Sequence, residues 1–346
     1  MSKRLNKFGE ELGELLEFQN ISISDYADRI NTTPKNLIDI IEGRVALSFN
    51  MICNISFISD IPVDYICNVE KSFDLDNKIN NYINEHDISI RQFINNFNYK
   101  ELKNKYKLTY KNDLNDYSIA RSILHYLRVN DPKLIYNDNN HIFYKSNNDK
   151  PELLALWLER CYRVVQEQEL KEYKKDNIYK LVEFIRNEAK NYRFDKERLI
   201  KEFNDNGIFL AIEPDLKGAK LRGAFRVLNN KPAIYITPKY KRYADIYFAL
   251  LHELAHCKSD YNRAKNGSIV SFENQSSKED YEIKADRTAY NWMVNDKIYD
   301  YIKLNNNFNE ESEVPCFVVY RLAQDKIIKY NSVKYQKYNK KINNYL

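Results

Sequence analysis

Residues 249–258 read Ala-Leu-Leu-His-Glu-Leu-Ala-His-Cys-Lys and contain two of the five histidines of the chain. The apolar spacing around these histidines predicts a helix that begins near Ala244. On a helix, residues four positions apart lie on one face, so His252 and His256 would point to the same place. Each imidazole can give one nitrogen to a metal ion. The carboxylate of Glu253 stays beside such a site, where a general base for hydrolysis is needed.

A catalytic zinc ion needs a third protein ligand and an open coordination position. Residues 281–294, YEIKADRTAYNWMV, also have helical spacing, and Glu282 and Asp286 share one face of that helix. A solvated acidic face is one interpretation of this pair. The other, which the preceding His-Glu-x-x-His motif favours, is that Glu282 is the third ligand and that Asp286 accepts a hydrogen bond from a ligand histidine.

The two motifs together, HELAH at 252–256 and ExxAD at 282–286, resemble the ImmA/IrrE family of metallopeptidases. The resemblance extends to the segments 207–212, 223–225, 232–237, 245–248 and 315–322. It implies a zincin-like HExxH metallopeptidase domain with His252, His256 and Glu282 as metal ligands and Glu253 as the catalytic acid/base. It also implies one zinc ion per chain, although imidazole and carboxylate ligands accept manganese or iron as well.

The sequence departs from the family pattern after the second motif. Family members often end that helix with Met-Pro or Ile-Pro, whereas residues 291–295 contain no proline. No separate residue is evident for stabilising the transition state, and Tyr235, Tyr243 and Tyr281 are unranked candidates. We expect strand 223–228 to pair with an extended substrate segment.

The first 85 residues predict an all-helical domain with a helix-turn-helix. Ser22 and Asp25 have the spacing of a capping box, and Thr33 precedes Pro34 where the next helix begins. Asn31 lies at the turn between the two helices, where a left-handed conformation is tolerated. Family members often carry an Xre-type helix-turn-helix, and residues 46–66 resemble HigA-type antitoxin regulators.

The second of these helices would present its N-terminal half to base edges in double-stranded DNA. The candidate contacts are Thr33, Lys35, Asn36, Asp39 and Arg44, of which Arg44 would contact phosphate. Residues 1–80, however, contain eight Lys/Arg and thirteen Asp/Glu, which gives this segment a net charge of −5, whereas the net charge of the whole chain is +5. Because non-specific DNA affinity depends on cationic side chains, homodimer formation and docking of a protein partner remain equal alternatives.

The whole chain predicts a mainly α fold with a small β-sheet, of the α+β class. We divide it into an Xre-like helix-turn-helix domain (1–85), a helical linker region (86–170) and an ImmA/IrrE-like metallopeptidase domain (171–346). Strands are expected at 207–214, 223–228 and 232–237, the last two as a hairpin, with a further short strand at 142–145. Five scattered cysteines, no apolar signal core and no membrane span predict a cytoplasmic protein.

These observations leave three classes of function. The first is a zinc-dependent endopeptidase joined to a helix-turn-helix, which by resemblance cleaves a repressor or antitoxin-like protein in a stress response or a mobile element. The second is a DNA-binding transcription regulator or HigA-like antitoxin whose peptidase-like domain is a sensor or an interaction module. The third is a metal-stabilised interaction protein with no activity. The intact Glu253 favours the first over the third, because a purely structural zinc site does not need it.

Overall fold

The computed structural model describes residues 4–105, 115–136, 150–272, 279–305 and 307–342. Within these residues the chain is mainly helical with one four-stranded mixed sheet. This agrees with the mainly α fold and small β-sheet predicted from the sequence. The short strand expected at 142–145 lies outside the described residues. None of the described helices combines the length and the apolar sequence that crossing a bilayer needs.

Eighteen helices and four strands are present in the described ranges. The helices are α1 (Phe8–Phe18), α2 (Ile23–Arg29), α3 (Pro34–Ile41), α4 (Phe49–Ser59), α5 (Val63–Glu85), α6 (Ile90–Asn96), α7 (Tyr99–Lys105), α8 (Asp116–Tyr126), α9 (Lys133–Tyr136), α10 (Pro151–Gln166), α11 (Asn177–Lys190), α12 (Lys196–Asp205), α13 (Tyr243–Ser259), α14 (Tyr261–Ala264), α15 (Asp280–Met293), α16 (Asp296–Asn305), α17 (Pro315–Gln324) and α18 (Val333–Tyr338). The strands are β1 (Phe209–Ile212), β2 (Leu221–Leu228), β3 (Lys231–Ile236) and β4 (Ile269–Phe272).

The chain forms two compact units. The described part of the first comprises residues 4–95 and 115–133, and that of the second comprises 96–105, 134–136 and the described residues from 150 onward. Residues 86–170, predicted as a linker region, contribute helices to both units. The three predicted domains, with boundaries at 85 and 170, stay a prediction.

In the first unit, α2 and α3 begin at the predicted caps. The side chains of Ser22 and Thr33 each accept a hydrogen bond, at 3.1 Å, from the backbone N–H three residues later, which satisfies a donor that a helix start leaves unpaired. Asn31, in the turn, has a φ of 55°, the left-handed value predicted for it. Ala27 is fully buried, so the small side chain lets the two helices pack closely.

The sheet of the second unit has the strand order β1-β3-β2-β4. β3 runs parallel to β1 and antiparallel to β2, and β4 is an edge strand antiparallel to β2. Asn229 and Asn230 form the two-residue loop between β2 and β3, with φ values of 48° and 62°. Two positive φ angles are what a type I′ turn requires, and the predicted hairpin is confirmed.

Helices cover both faces of this sheet. On one face Phe225, Ile234 and Ile236 pack into the same core as α13. On the other face Trp157 of α10 packs edge-on against Tyr235, with ring centroids 6.3 Å apart. Thirteen of the seventeen residues of α13 are buried, because the sheet lies on one side of this helix and α15 and α17 pack elsewhere around it. The HELAH stretch is therefore inside the second unit.

Candidate metal centre

Three side chains from α13 and α15 converge, and they are the predicted ligands. The Nε2 atoms of His252 and His256 are 3.0 Å apart. Each lies 3.3 Å from a different carboxylate oxygen of Glu282. His252, His256 and Glu282 are all buried and can together hold a metal ion.

The spacing of these atoms fits a single small divalent ion. A tetrahedral ion with bonds of roughly 2.0–2.1 Å holds its ligand atoms about 3.3 Å from one another. The three distances of 3.0, 3.3 and 3.3 Å are close to this value. The donor set of two imidazoles and one carboxylate is also that of known catalytic zinc sites.

A carboxylate holds the outer nitrogen of each histidine. Asp286 Oδ1 lies 2.9 Å from His252 Nδ1, at ion-pair distance, and its role as acceptor for this histidine stays a prediction. Asp260 Oδ2 lies 2.9 Å from His256 Nδ1 and was not foreseen from the sequence. A proton on each Nδ1, facing a carboxylate, leaves the Nε2 lone pair available for a metal.

The pKa values of the three converging residues are shifted by burial and by their contacts with one another and with nearby carboxylates. Burial opposes the charged form of His256, but hydrogen bonds to Asp260 and Glu282 outweigh it and raise its pKa to about 10. Burial also opposes ionisation of Glu282, yet hydrogen bonds from His252 and His256 lower its pKa to about 2. The pKa of His252 is raised as well: hydrogen bonds to Asp286 and Glu282 outweigh the effect of burial.

Glu253 is fully buried beside the three ligands, between α13 and β2. A Cβ atom at Gly223 of β2 would lie 2.5 Å from Glu253 Oε1, so the absence of a side chain there makes room for the carboxylate. Neither oxygen of Glu253 has a hydrogen-bond partner among the described residues. Burial raises its pKa, an effect that the two histidines partly offset. A buried, unpartnered carboxylate with a raised pKa fits a general base.

Ser271 of β4 is a further member of the cluster that sequence reasoning missed. Its hydroxyl lies 3.1 Å from His252 Nε2, the nitrogen that faces the other ligands, and its side chain is 1% exposed. The hydroxyl is also near enough to Glu253 to favour its charged form. No motif marks this serine, because its place follows from the pairing of β4 with β2.

Of the three tyrosines proposed for transition-state stabilisation, only Tyr281 lies near the ligands. Its ring centroid is 5.9 Å from that of His256. Tyr235 was a wrong candidate, because it points to the opposite face of the sheet, where it packs against Trp157. Tyr243 begins α13, more than two turns before His252, and packs against Tyr192.

The expectation that strand 223–228 receives the substrate is wrong for the residues nearest the site. Gly223, Ala224 and Phe225 pair with β3 on one side and with β4 on the other. Their backbone groups are therefore already used within the sheet. Among the described strands, β4 is the edge strand nearest to the candidate ligands, and its Ser271 lies 3.1 Å from His252 Nε2.

In the first unit, the predicted DNA contacts are mostly engaged with one another. Arg44 forms ion pairs with Asp39, at 2.7 Å, and with Glu42. The Thr33 hydroxyl caps α3, and the Asn36 amide donates to Thr32 Oγ1 at 2.9 Å. Lys35 is exposed. The arginine expected to contact phosphate is thus partly neutralised by neighbouring carboxylates.

Comparison of the chain with protein-family models, with curated proteins and with solved structures gives no significant match.

Proposed function

We propose that this chain is a zinc-dependent endopeptidase, a metallopeptidase similar to the ImmA/IrrE family, that cleaves a repressor or antitoxin-like protein in the cytoplasm. One observation carries the proposal: Glu253, a fully buried carboxylate with no hydrogen-bond partner among the described residues, lies beside a His252–His256–Glu282 cluster whose spacing suits one divalent ion. A structural metal site would not need this carboxylate. Five cysteines, none of them in a disulfide, support the reducing compartment.

In this proposal the residues of the chain divide the chemistry between them. His252, His256 and Glu282 would hold the ion, which, when bound, would supply Lewis-acid polarisation and make water a stronger acid. Asp286 and Asp260 fix the orientation of the two imidazoles. Glu253 accepts the proton of the attacking water and passes it to the leaving amine.

The substrate, in the same proposal, lies as an extended segment along the outer edge of β4. An added strand uses main-chain hydrogen bonds, which only an unpaired edge can offer. β4 is the strand that carries Ser271 to the ligands, so a peptide on its outer edge would pass next to the metal centre. We propose β4 instead of β2 for this role, because beside the site β2 already pairs with β3 on one side and with β4 on the other.

Two measurements test the proposal. Metal analysis of the purified protein should find about one zinc ion per chain, and His252→Ala should lose it. Candidate repressors, chosen first from the neighbouring genes, should be cleaved by the wild type but not by Glu253→Gln. Glu188→Gln is a matched control, because it removes one charge from a buried glutamate of α11 that is not part of the metal centre. Equal cleavage by the wild type and Glu253→Gln would refute the assigned mechanism.

A second candidate, a DNA-binding regulator or HigA-like antitoxin, is supported by one specific feature. The helix pair α2–α3, with its two capped starts and left-handed Asn31, has the local geometry of a helix-turn-helix. The acidic balance of residues 1–80 and the ion pairs of Arg44 weaken this candidate. Binding of the chain to its own promoter in a gel shift, with zinc-site variants behaving as wild type, would favour it.

A further inference from the structure

Ser271 and Gly223 are opposite each other in the register of β4 and β2. Opposite residues of paired strands project to the same face of a sheet. On that face Glu253 occupies the space over Gly223. The Ser271 hydroxyl is thus on the same face as the carboxylate and next to it, while it also reaches His252 Nε2 at 3.1 Å.

This hydroxyl has one proton and two acceptors within reach. In the structure the hydroxyl lies 3.1 Å from His252 Nε2, the nitrogen whose lone pair a metal ion would take. A lone pair that coordinates a metal cannot also accept a hydrogen bond. The remaining acceptor is Glu253, whose two oxygens have no hydrogen-bond partner among the described residues.

Burial makes that change of partner favourable. Ser271 is 1% exposed and Glu253 is fully buried, so neither group can readily form a hydrogen bond with water. A buried polar group without a partner costs roughly 1–3 kcal/mol, and a hydrogen bond to a charged group is among the stronger ones. A Ser271–Glu253 hydrogen bond would satisfy both groups at once.

We propose that Ser271 is a positioning residue of the metal centre, whose hydroxyl holds the Glu253 carboxylate toward the open side of the ion. This inference rests on the proposed function, because it assigns Glu253 a proton-accepting role. Ser271 is not a metal ligand in this assignment. It acts on chemistry only through Glu253.

The test uses the full-length protein loaded with Co²⁺, with acetohydroxamic acid as the probe. Acetohydroxamic acid chelates the ion and gives up a proton that a neighbouring carboxylate can accept, and its binding changes the visible spectrum of the cobalt. We expect Ser271→Ala to weaken the binding of acetohydroxamic acid about tenfold, the scale of a hydrogen bond to a charged group. Ser271→Thr, which keeps the hydroxyl, should restore most of the affinity.

A double-mutant cycle with Glu253→Gln separates positioning from an independent effect. If Ser271 acts through Glu253, the double variant binds the probe as weakly as Glu253→Gln alone. Ser268→Ala is the matched control, because Ser268 is equally buried just before β4 and its hydroxyl has no partner in the described part of the chain. Circular dichroism and thermal unfolding, compared with this control, verify that each variant is folded.

Three outcomes would overturn the inference. If the loss of probe affinity in the double variant equals the product of the losses in Ser271→Ala and Glu253→Gln, the serine acts independently of the carboxylate. A large loss of Co²⁺ affinity with a changed metal spectrum in Ser271→Ala would make the serine a ligand. Failure of the folded wild type to bind Co²⁺ would remove the metal centre and the proposed function together, whereas the first two outcomes leave that function intact.

Discussion

The carboxylate of Glu253 occupies the space that a side chain on Gly223 would need. A methyl group on residue 223 would overlap this carboxylate and would also lie 2.9 Å from the carbonyl oxygen of Tyr235. The strand can approach α13 closely only because this position has no side chain. The location of the Glu253 carboxylate is therefore set by a residue that contributes no functional group.

Gly223→Ala is expected to abolish most hydrolysis while zinc stays bound. The three atoms nearest to the added methyl belong to Glu253 and Tyr235 and not to the three candidate ligands. The methyl displaces Glu253, and overpacking here should lower the free energy of unfolding by about 1–3 kcal/mol. Cleavage assays, zinc analysis and urea unfolding measure the three effects. Gly13→Ala is the control, since its methyl would meet only the Ile41 side chain in the first unit. Full activity of Gly223→Ala would contradict the assigned position of Glu253.

Asp286→Asn and Asp260→Asn are each expected to weaken zinc binding by about 10–100-fold, because the amide holds the Nδ1 proton of its histidine less strongly. Competition with a chromophoric chelator at fixed pH measures the affinity. Asp280→Asn, an exposed change on the same helix as Asp286, should leave it unaltered. An equal loss in all three variants would indicate a general charge effect instead.

Metal removal should reverse the dependence of stability on pH. The pKa of His256 is raised to about 10 in the metal-free protein by Asp260 and Glu282, against the opposing effect of burial. A raised histidine pKa contributes stability that is complete below about 6.5 and is lost as the pH rises toward 10. With EDTA, we therefore expect the unfolding temperature to fall between pH 6.5 and 9.

With zinc the opposite trend is expected between pH 6 and 8. Ligand imidazoles must be neutral, so zinc binds more tightly and stabilises more as the pH increases. Differential scanning calorimetry with and without EDTA compares the two trends. His256→Ala should flatten both. A metal-free protein whose stability rises steadily from pH 6.5 to 9 would refute the ion pairs described for this cluster.

Asp39→Asn is expected to increase affinity for duplex DNA if the first unit binds it. The change removes one negative charge and frees Arg44 from an ion pair of 2.7 Å, which leaves the guanidinium available to phosphate. Gel shifts at two stated salt concentrations measure the effect. Asp74→Asn removes a charge from α5, where Asp74 pairs with Lys78, and serves as the control. Equal gains from both changes would argue against a specific role of α3.

Local rules predicted much of this structure correctly. The starts of α2 and α3 follow from hydroxyl caps, and the β2–β3 turn follows from two adjacent asparagines. The ligand histidines follow from their spacing on one helix. Asp260 could also have been found, because it lies four residues after His256 and thus one turn further along the same face.

The features that the sequence did not predict depend on pairing between strands that are distant in the chain. Four residues, Ile269–Phe272, form an edge strand that brings Ser271 to the ligands, and so short a segment has no distinctive period. The same strand pairs with β2 beside the candidate ligands, a pairing that the sequence does not indicate. Tyr235 could have been excluded, since its neighbours Ile234 and Ile236 alternate with it and face the core of α13.

The ligands belong to two helices, with His252 and Glu282 thirty positions apart in the sequence. An ion bound by them would close that length of chain into a ring in the folded state. Because the unfolded chain rarely keeps such a site, the free energy of binding would stabilise the folded state. Loading with zinc would then be a step in the maturation of the second unit, and its amide hydrogens along α15 would exchange more slowly once the ring is closed.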